Sequence, residues 1–143
     1  MTVQESIEIK ASAEEIFSYL LAVENRKDYV PALEEVIMLD PLPIQEGSRY
    51  IEVAQIAGRR METIYQVTTL IKNRQLSART LKSVFPIRAD LILIDQKVVS
   101  TLQIQLDFQL SGIFRLASGI IRGIVRQQAR DILEKLKRNL ERE

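Results

Sequence analysis

The sequence predicts an α+β domain in which one antiparallel sheet is covered on a single face by a long C-terminal helix. Three observations predict it. From Gly47 to Leu110 the chain reads as short strands joined by turns that leave room only for hairpins, which implies an antiparallel meander. In the last strand Val98, Ser100, Leu102, Ile104, Leu106, Phe108 and Leu110 alternate with Val99, Thr101, Gln103, Gln105, Asp107 and Gln109, giving one apolar and one mostly polar face. Beyond it Leu116, Ile120, Ile121, Ile124, Val125, Ile132, Leu133, Leu136 and Leu140 recur at helical spacing over more than 20 residues. A sheet with one wet face needs a cover for its dry face, and this helix is the cover.

The remaining elements follow in chain order. Val3–Lys10 alternates with Val3, Ile7 and Ile9 on one side, as a half-buried strand does. Ser12-Ala13-Glu14-Glu15 is a capping box: the Ser12 hydroxyl can accept from the Glu15 N–H while Glu15 reaches back. Ile16, Phe17, Leu20 and Leu21 then form the stripe of a short helix. Residues 24–29 suggest a second helical turn, limited by Pro31. Strands are expected at 35–39, 49–56, 61–71, 76–83, 87–94 and 98–110. With 143 residues, 46% of them hydrophobic, the chain is one domain, 1–143, large enough to bury a core.

Two absences narrow the chemistry. There is no His, which removes the commonest general base and metal ligand, and no Cys, which removes thiol nucleophiles, disulfides and thiolate metal sites. No loop has a calcium-binding pattern, so neither metal nor cofactor is expected. Any catalysis must use Asp, Glu, Lys, Arg, Tyr, Ser or backbone groups. The longest uncharged run is nine residues, as in 98–106, far short of the roughly 20 a membrane span requires. The opening MTVQESIEIK lacks a basic segment followed by an apolar one, so a secretory leader is not expected and the cytoplasm is.

Net charge is +1, but it is unevenly spread: residues 1–40 carry 3 basic and 9 acidic side chains, and residues 110–143 carry 8 and 4. Arg115, Arg122, Arg126, Arg130 and Lys137 fall within an arc of roughly 80° on the C-terminal helix. This stripe suits either a solvated edge or an anionic partner, a membrane surface or an acidic protein. No aromatic residue interleaves with it to stack bases, so nucleic acid is not expected.

The order strand, capped helix, short helix, six-strand meander and long C-terminal helix resembles the START-like (SRPBCC) superfamily, most closely its polyketide cyclase/dehydrase branch. Ile7-Glu8-Ile9-Lys10-Ala11-Ser12-Ala13-Glu14-Glu15-Ile16-Phe17 is similar to the family's strand, small-residue turn and helix opening. Tyr29-Val30-Pro31 resembles its aromatic–proline segment, and Glu46-Gly47-Ser48-Arg49 its strand-opening glycine. The resemblance implies a helix-grip fold, in which a curved sheet of six or seven strands wraps the C-terminal helix. It also implies a cavity for a hydrophobic ligand between the two. It carries no catalytic motif onto this sequence.

Strand parity nominates the cavity residues. Two-residue turns at Gly58-Arg59 and Asn73-Arg74 would pair Ile56 with Met61, Glu52 with Tyr65, and Tyr65 with Lys82. Glu52, Tyr65 and Lys82, with Tyr50 and Met61, would then form a polar-aromatic patch in an aliphatic pocket. A carboxylate beside a lysine and a phenol could transfer a proton or simply orient a ligand. A one-residue slip sends all three to solvent and turns Arg49 and Arg79 inward. Leu102 and Ile104 line the apolar face. Phe85 lies in the connection before Pro86, where the family resemblance implies a loop that gates the mouth and the residues alone suit a loop anchor. Gly119 and Gly123 on the helix make room for close sheet packing or for ligand beside Ile120 and Ile124. The leading expectation is a binder of a hydrophobic small molecule or lipid. A cyclase/aromatase-type enzyme and an interaction module using the basic stripe are the alternatives.

Overall fold

A computed structural model describes residues 1–56, 58–83 and 85–142. The elements are β1 (Thr2–Ile9), α1 (Ala13–Leu21), a 3-10 turn (Val23–Asp28), β2 (Leu33–Met38), β3 (Arg49–Ile56), β4 (Arg59–Ile71), β5 (Gln75–Lys82), β6 (Ile87–Gln96), β7 (Val99–Phe108), a second 3-10 turn (Gly112–Ala117) and α2 (Ser118–Leu140). The strands form one antiparallel sheet in the order β1-β7-β6-β5-β4-β3-β2. The sequence reading thus holds in element order, and the C-terminal helix runs for 23 residues. Among the described residues, no helix is long and apolar enough to cross a membrane.

The α1 cap forms as its sequence requires. Ser12 accepts from the Glu15 amide at 3.1 Å, and its hydroxyl donates to Glu15 Oε1 at 3.2 Å, so Glu15 reaches back to the Ser12 side chain. The cap directs Ile16, Phe17 and Leu20 into the core. They meet Leu93 of β6, Leu102, Ile104 and Phe108 of β7, Val3 and Ile9 of β1, and Ala129, Leu133 and Leu136 of α2. Val98 drops out of the predicted strand face: it sits in the β6–β7 turn, 81% exposed.

The long helix is fastened at one end. Near its C-terminus Lys137 donates to the Glu8 carbonyl at 2.9 Å and to Glu141 at 2.8 Å, and Glu141 accepts from the Lys10 amide at 2.7 Å. Helix α2 packs mainly on β1, at one edge of the sheet, and touches β7. Many inner-face residues of the central strands, including Met61, Tyr65, Leu91 and Leu106, are accordingly only half-buried.

Candidate functional site

The hairpin registers decide which side chains meet on the inner face of the sheet. Ile56 pairs with Arg59 and Ala54 with Met61, so Glu52 lies opposite Thr63 and Tyr50 opposite Tyr65. The β4–β5 turn takes three residues, with Asn73 in the left-handed region at φ 61°, and Ile71 pairs with Gln75. Tyr65 therefore lies opposite Thr80. The predicted pairs Ile56–Met61, Glu52–Tyr65 and Tyr65–Lys82 are all displaced by two residues. Because side chains alternate with a period of two, Glu52, Tyr50, Tyr65 and Met61 still share one face.

Lys82 does not join them. A bulge in β5, facing Ile64 and Tyr65, sets it opposite Ile64, and it is exposed. The slipped register is not adopted either. Arg49 bonds Asp40 and Arg79 bonds Gln66, and Arg49 and Gln66 themselves pair on the opposite face.

The cation facing Glu52 is Arg26, which the sequence reading did not single out. Its Nε donates to Glu52 Oε2 at 2.7 Å, and its Nη2 donates to the same oxygen. The two side chains are 18% and 12% exposed. The Arg26 guanidinium lies 5.9 Å from the Tyr29 ring centroid and 5.7 Å from that of Tyr50, within cation–π range of both. Tyr50 stacks on Tyr65 at 5.5 Å and 15°. Asn139 of α2 holds this end of the fold, donating to the Tyr19 hydroxyl at 3.1 Å and to the Asp28 carbonyl at 3.2 Å. The sequence does carry one signal for this site: Arg26 and Tyr29 are three residues apart in one helical turn, which puts them on neighbouring positions.

Burial opposes the Arg26 charge, but the facing Glu52 carboxylate and nearby phenols more than offset it and hold its pKa well above the ordinary arginine value. Burial raises the Tyr29 and Tyr65 phenols and pushes Tyr50 up to about 12. All three are neutral donors at physiological pH. The Tyr29 hydroxyl is buried without a partner, and no donor among the described residues reaches Glu52 Oε1. The site therefore has one spare carboxylate oxygen beside a paired cation. A buried polar atom left unpaired is costly and marks a place for water or a ligand atom.

The other nominated residues lie elsewhere. Leu102 and Ile104 face inward but are fully packed in the core. Phe85 lies edge-to-face with Phe114, centroids 4.9 Å apart. Gly119 and Gly123 have open space where a Cβ would stand, so no close sheet approach requires them. Ile120 and Ile124 are 72% and 60% exposed. The α2 side chains packed against the core are one position further along, at Ile121 and Val125.

A model of the family described as polyketide cyclase / dehydrase and lipid transport matches residues 1–141. No curated protein matches the sequence significantly. The fold is similar to that of TTHA0849 from Thermus thermophilus, with TM-score 0.82, 12% identity, and coverage of 98% of this chain and 97% of that one. It is similar to a START superfamily protein from Mycobacterium smegmatis, with TM-score 0.81, 18% identity and coverage of 99% and 97%. It also matches the Zhui aromatase/cyclase from Streptomyces sp. R1128, with TM-score 0.78, 15% identity and coverage of 99% and 94%.

Proposed function

The chain belongs to the polyketide cyclase/dehydrase and lipid transport family, and from that premise we propose that it binds a hydrophobic small molecule or lipid in the groove between sheet and α2. The supporting observation is the Arg26–Glu52 pair beside Tyr29, Tyr50 and Tyr65, with Glu52 Oε1 free of any donor among the described residues. The apolar body of the ligand lies along Met61, Leu91 and Leu106, where burial of its surface contributes roughly 25 cal/mol per Å² before association costs. Its polar end, a hydroxyl or carbonyl, meets the tyrosines and Glu52. A few polar groups in an apolar groove set orientation.

Binding is favoured over cyclase-type turnover by the state of the polar groups. Glu52 is engaged by Arg26, and burial raises the phenols, so the tyrosines are not bases near neutral pH. Native mass spectrometry of freshly purified protein, followed by organic extraction, tests the reading. A defined hydrophobic adduct is expected, weakened by Tyr65→Phe together with Glu52→Gln. A clean apo mass, unchanged on incubation with a panel of isoprenoid, fatty-acyl and polycyclic aromatic compounds, overturns it.

A further inference from the structure

The polar groups on the inner face of β3 and β4 are of unequal kind. Glu52 shares that face with Tyr50, Tyr65 and Met61. Both Arg26 donors go to Glu52 Oε2, so Oε1 has no donor among the described residues. That oxygen is not sealed in. The Glu52 side chain keeps 12% exposure, whereas the unpartnered Tyr29 hydroxyl is fully enclosed. Nor does Oε1 wander, because the guanidinium that grips its sister oxygen is itself held beside the Tyr29 and Tyr50 rings. Among the described residues no hydrogen bond engages the Tyr50 or Tyr65 hydroxyl.

The chemistry of these atoms discriminates between ligand ends. A carboxylate oxygen accepts and cannot donate, whereas a phenol does both. A ligand ether or carbonyl could accept from a tyrosine but would leave Oε1 unanswered, at the cost of an unpaired polar atom. A ligand carboxylate would bring a second negative charge to a guanidinium already turned toward Glu52. A hydroxyl suits every group present: it donates to Oε1 in a charge-assisted bond and still accepts from a phenol.

We infer that Glu52 determines the ligand's chemical class: the site takes an uncharged amphiphile ending in a hydroxyl, an alcohol or a phenol, and refuses the carboxylic acid or the methyl ether of the same body. The inference rests on the ligand-binding reading above and narrows it to a donor-bearing end. Arg26 acts as a positioning residue, holding Glu52 with one oxygen free.

Displacement of Nile red, an uncharged apolar fluorophore, from the full chain near neutral pH tests it. Two matched sets serve as competitors: farnesol, farnesyl methyl ether and farnesoic acid, and 2-naphthol, 2-methoxynaphthalene and 2-naphthoic acid. In whichever set binds, the hydroxyl compound is expected to compete at least about tenfold more strongly than its ether and its acid. The ether is the more apolar of the pair, so hydrophobic burial by itself would rank it first. Arg26→Met/Glu52→Met leaves no charge unpaired and should bind alcohol and ether within about twofold of each other. An acid or ether that competes as well as its alcohol overturns the inference and leaves the ligand-binding reading standing. A double variant that folds and keeps the tenfold preference also overturns it, because another group then selects the hydroxyl. Should the double variant fail to fold, the ranking measured on the parent decides. Nile red and both sets all failing to bind overturns the inference together with the reading it rests on.

Discussion

Arg26 donates through two nitrogens to a single oxygen of Glu52, and this bond ties the turn after α1 to the middle of β3. The two residues are 26 positions apart and lie on elements with no shared backbone hydrogen-bond ladder. Their pairing fixes the turn against the sheet and leaves the carboxylate's other oxygen without a donor among the described residues.

Removing one partner should therefore cost more than replacing both. Arg26→Met leaves a mostly buried carboxylate unpaired and is expected to destabilise the fold by about 3 kcal/mol. The double variant Arg26→Met/Glu52→Gln should lose clearly less than the sum of its single changes. Urea denaturation of the four proteins measures the coupling. Additive losses would remove the pair as the anchor of this end of the fold.

The buried phenols predict an alkaline limit. Tyr50 has its pKa pushed by burial from 10.0 to about 12. The unfolded chain releases this proton near pH 10 while the folded protein retains it, so the contribution is whole below pH 10 and is lost as pH rises toward 12. The loss from Tyr50 alone is of order 2 kcal/mol. Tyr29 and Tyr65 act in the same direction. Ultraviolet titration of the phenolates should stay well short of four ionised tyrosines at about pH 11, and Tyr50→Phe should flatten the decline in stability.

The α1 cap should be separable from the groove. Ser12→Ala removes the side-chain acceptor of the Glu15 amide and is expected to cost about 1 kcal/mol, lowering the melting temperature by about 2–4 °C. Ser12→Asp should retain most of the stability. Extracted adduct should be the same in both variants.

Leu136 of α2 and Leu116 in the turn before it contrast a buried with an exposed position. Leu136→Ala, at a fully buried position, is expected to cost about 2–5 kcal/mol. Leu116→Ser, at 91% exposure, should lie within about 0.5 kcal/mol of the parent. Thermal denaturation of the pair reads the difference directly.

Asn139 positions the site from a distance. Its amide holds the Tyr19 hydroxyl and the Asp28 carbonyl, so Asn139→Ala should cost about 1 kcal/mol and loosen the turn that carries Arg26. Hydrogen exchange at residues 25–30 should quicken, with little change in β6 and β7.

The strands, the capped helix, the order of elements and the common face of Tyr50, Glu52, Met61 and Tyr65 were all legible in the chain's local pattern. These rest on short-range physics. Alternation has a period of two, so a register displaced by two residues changes partners without changing faces. The Ser12 cap is likewise complete within four residues. Which cation meets Glu52 was settled by tertiary contact instead. Lys82 was excluded by a bulge in β5, and Arg26 was brought in by the turn after α1, a long-range placement that no local period encodes. Tertiary packing also separated the two apolar stripes of α2, which periodicity alone merges. The C-terminal latch to β1 turns Ile121, Val125, Leu133 and Leu136 inward, and Leu116, Ile120 and Ile124 remain in solvent because the sheet offers that side of the helix no surface to cover them.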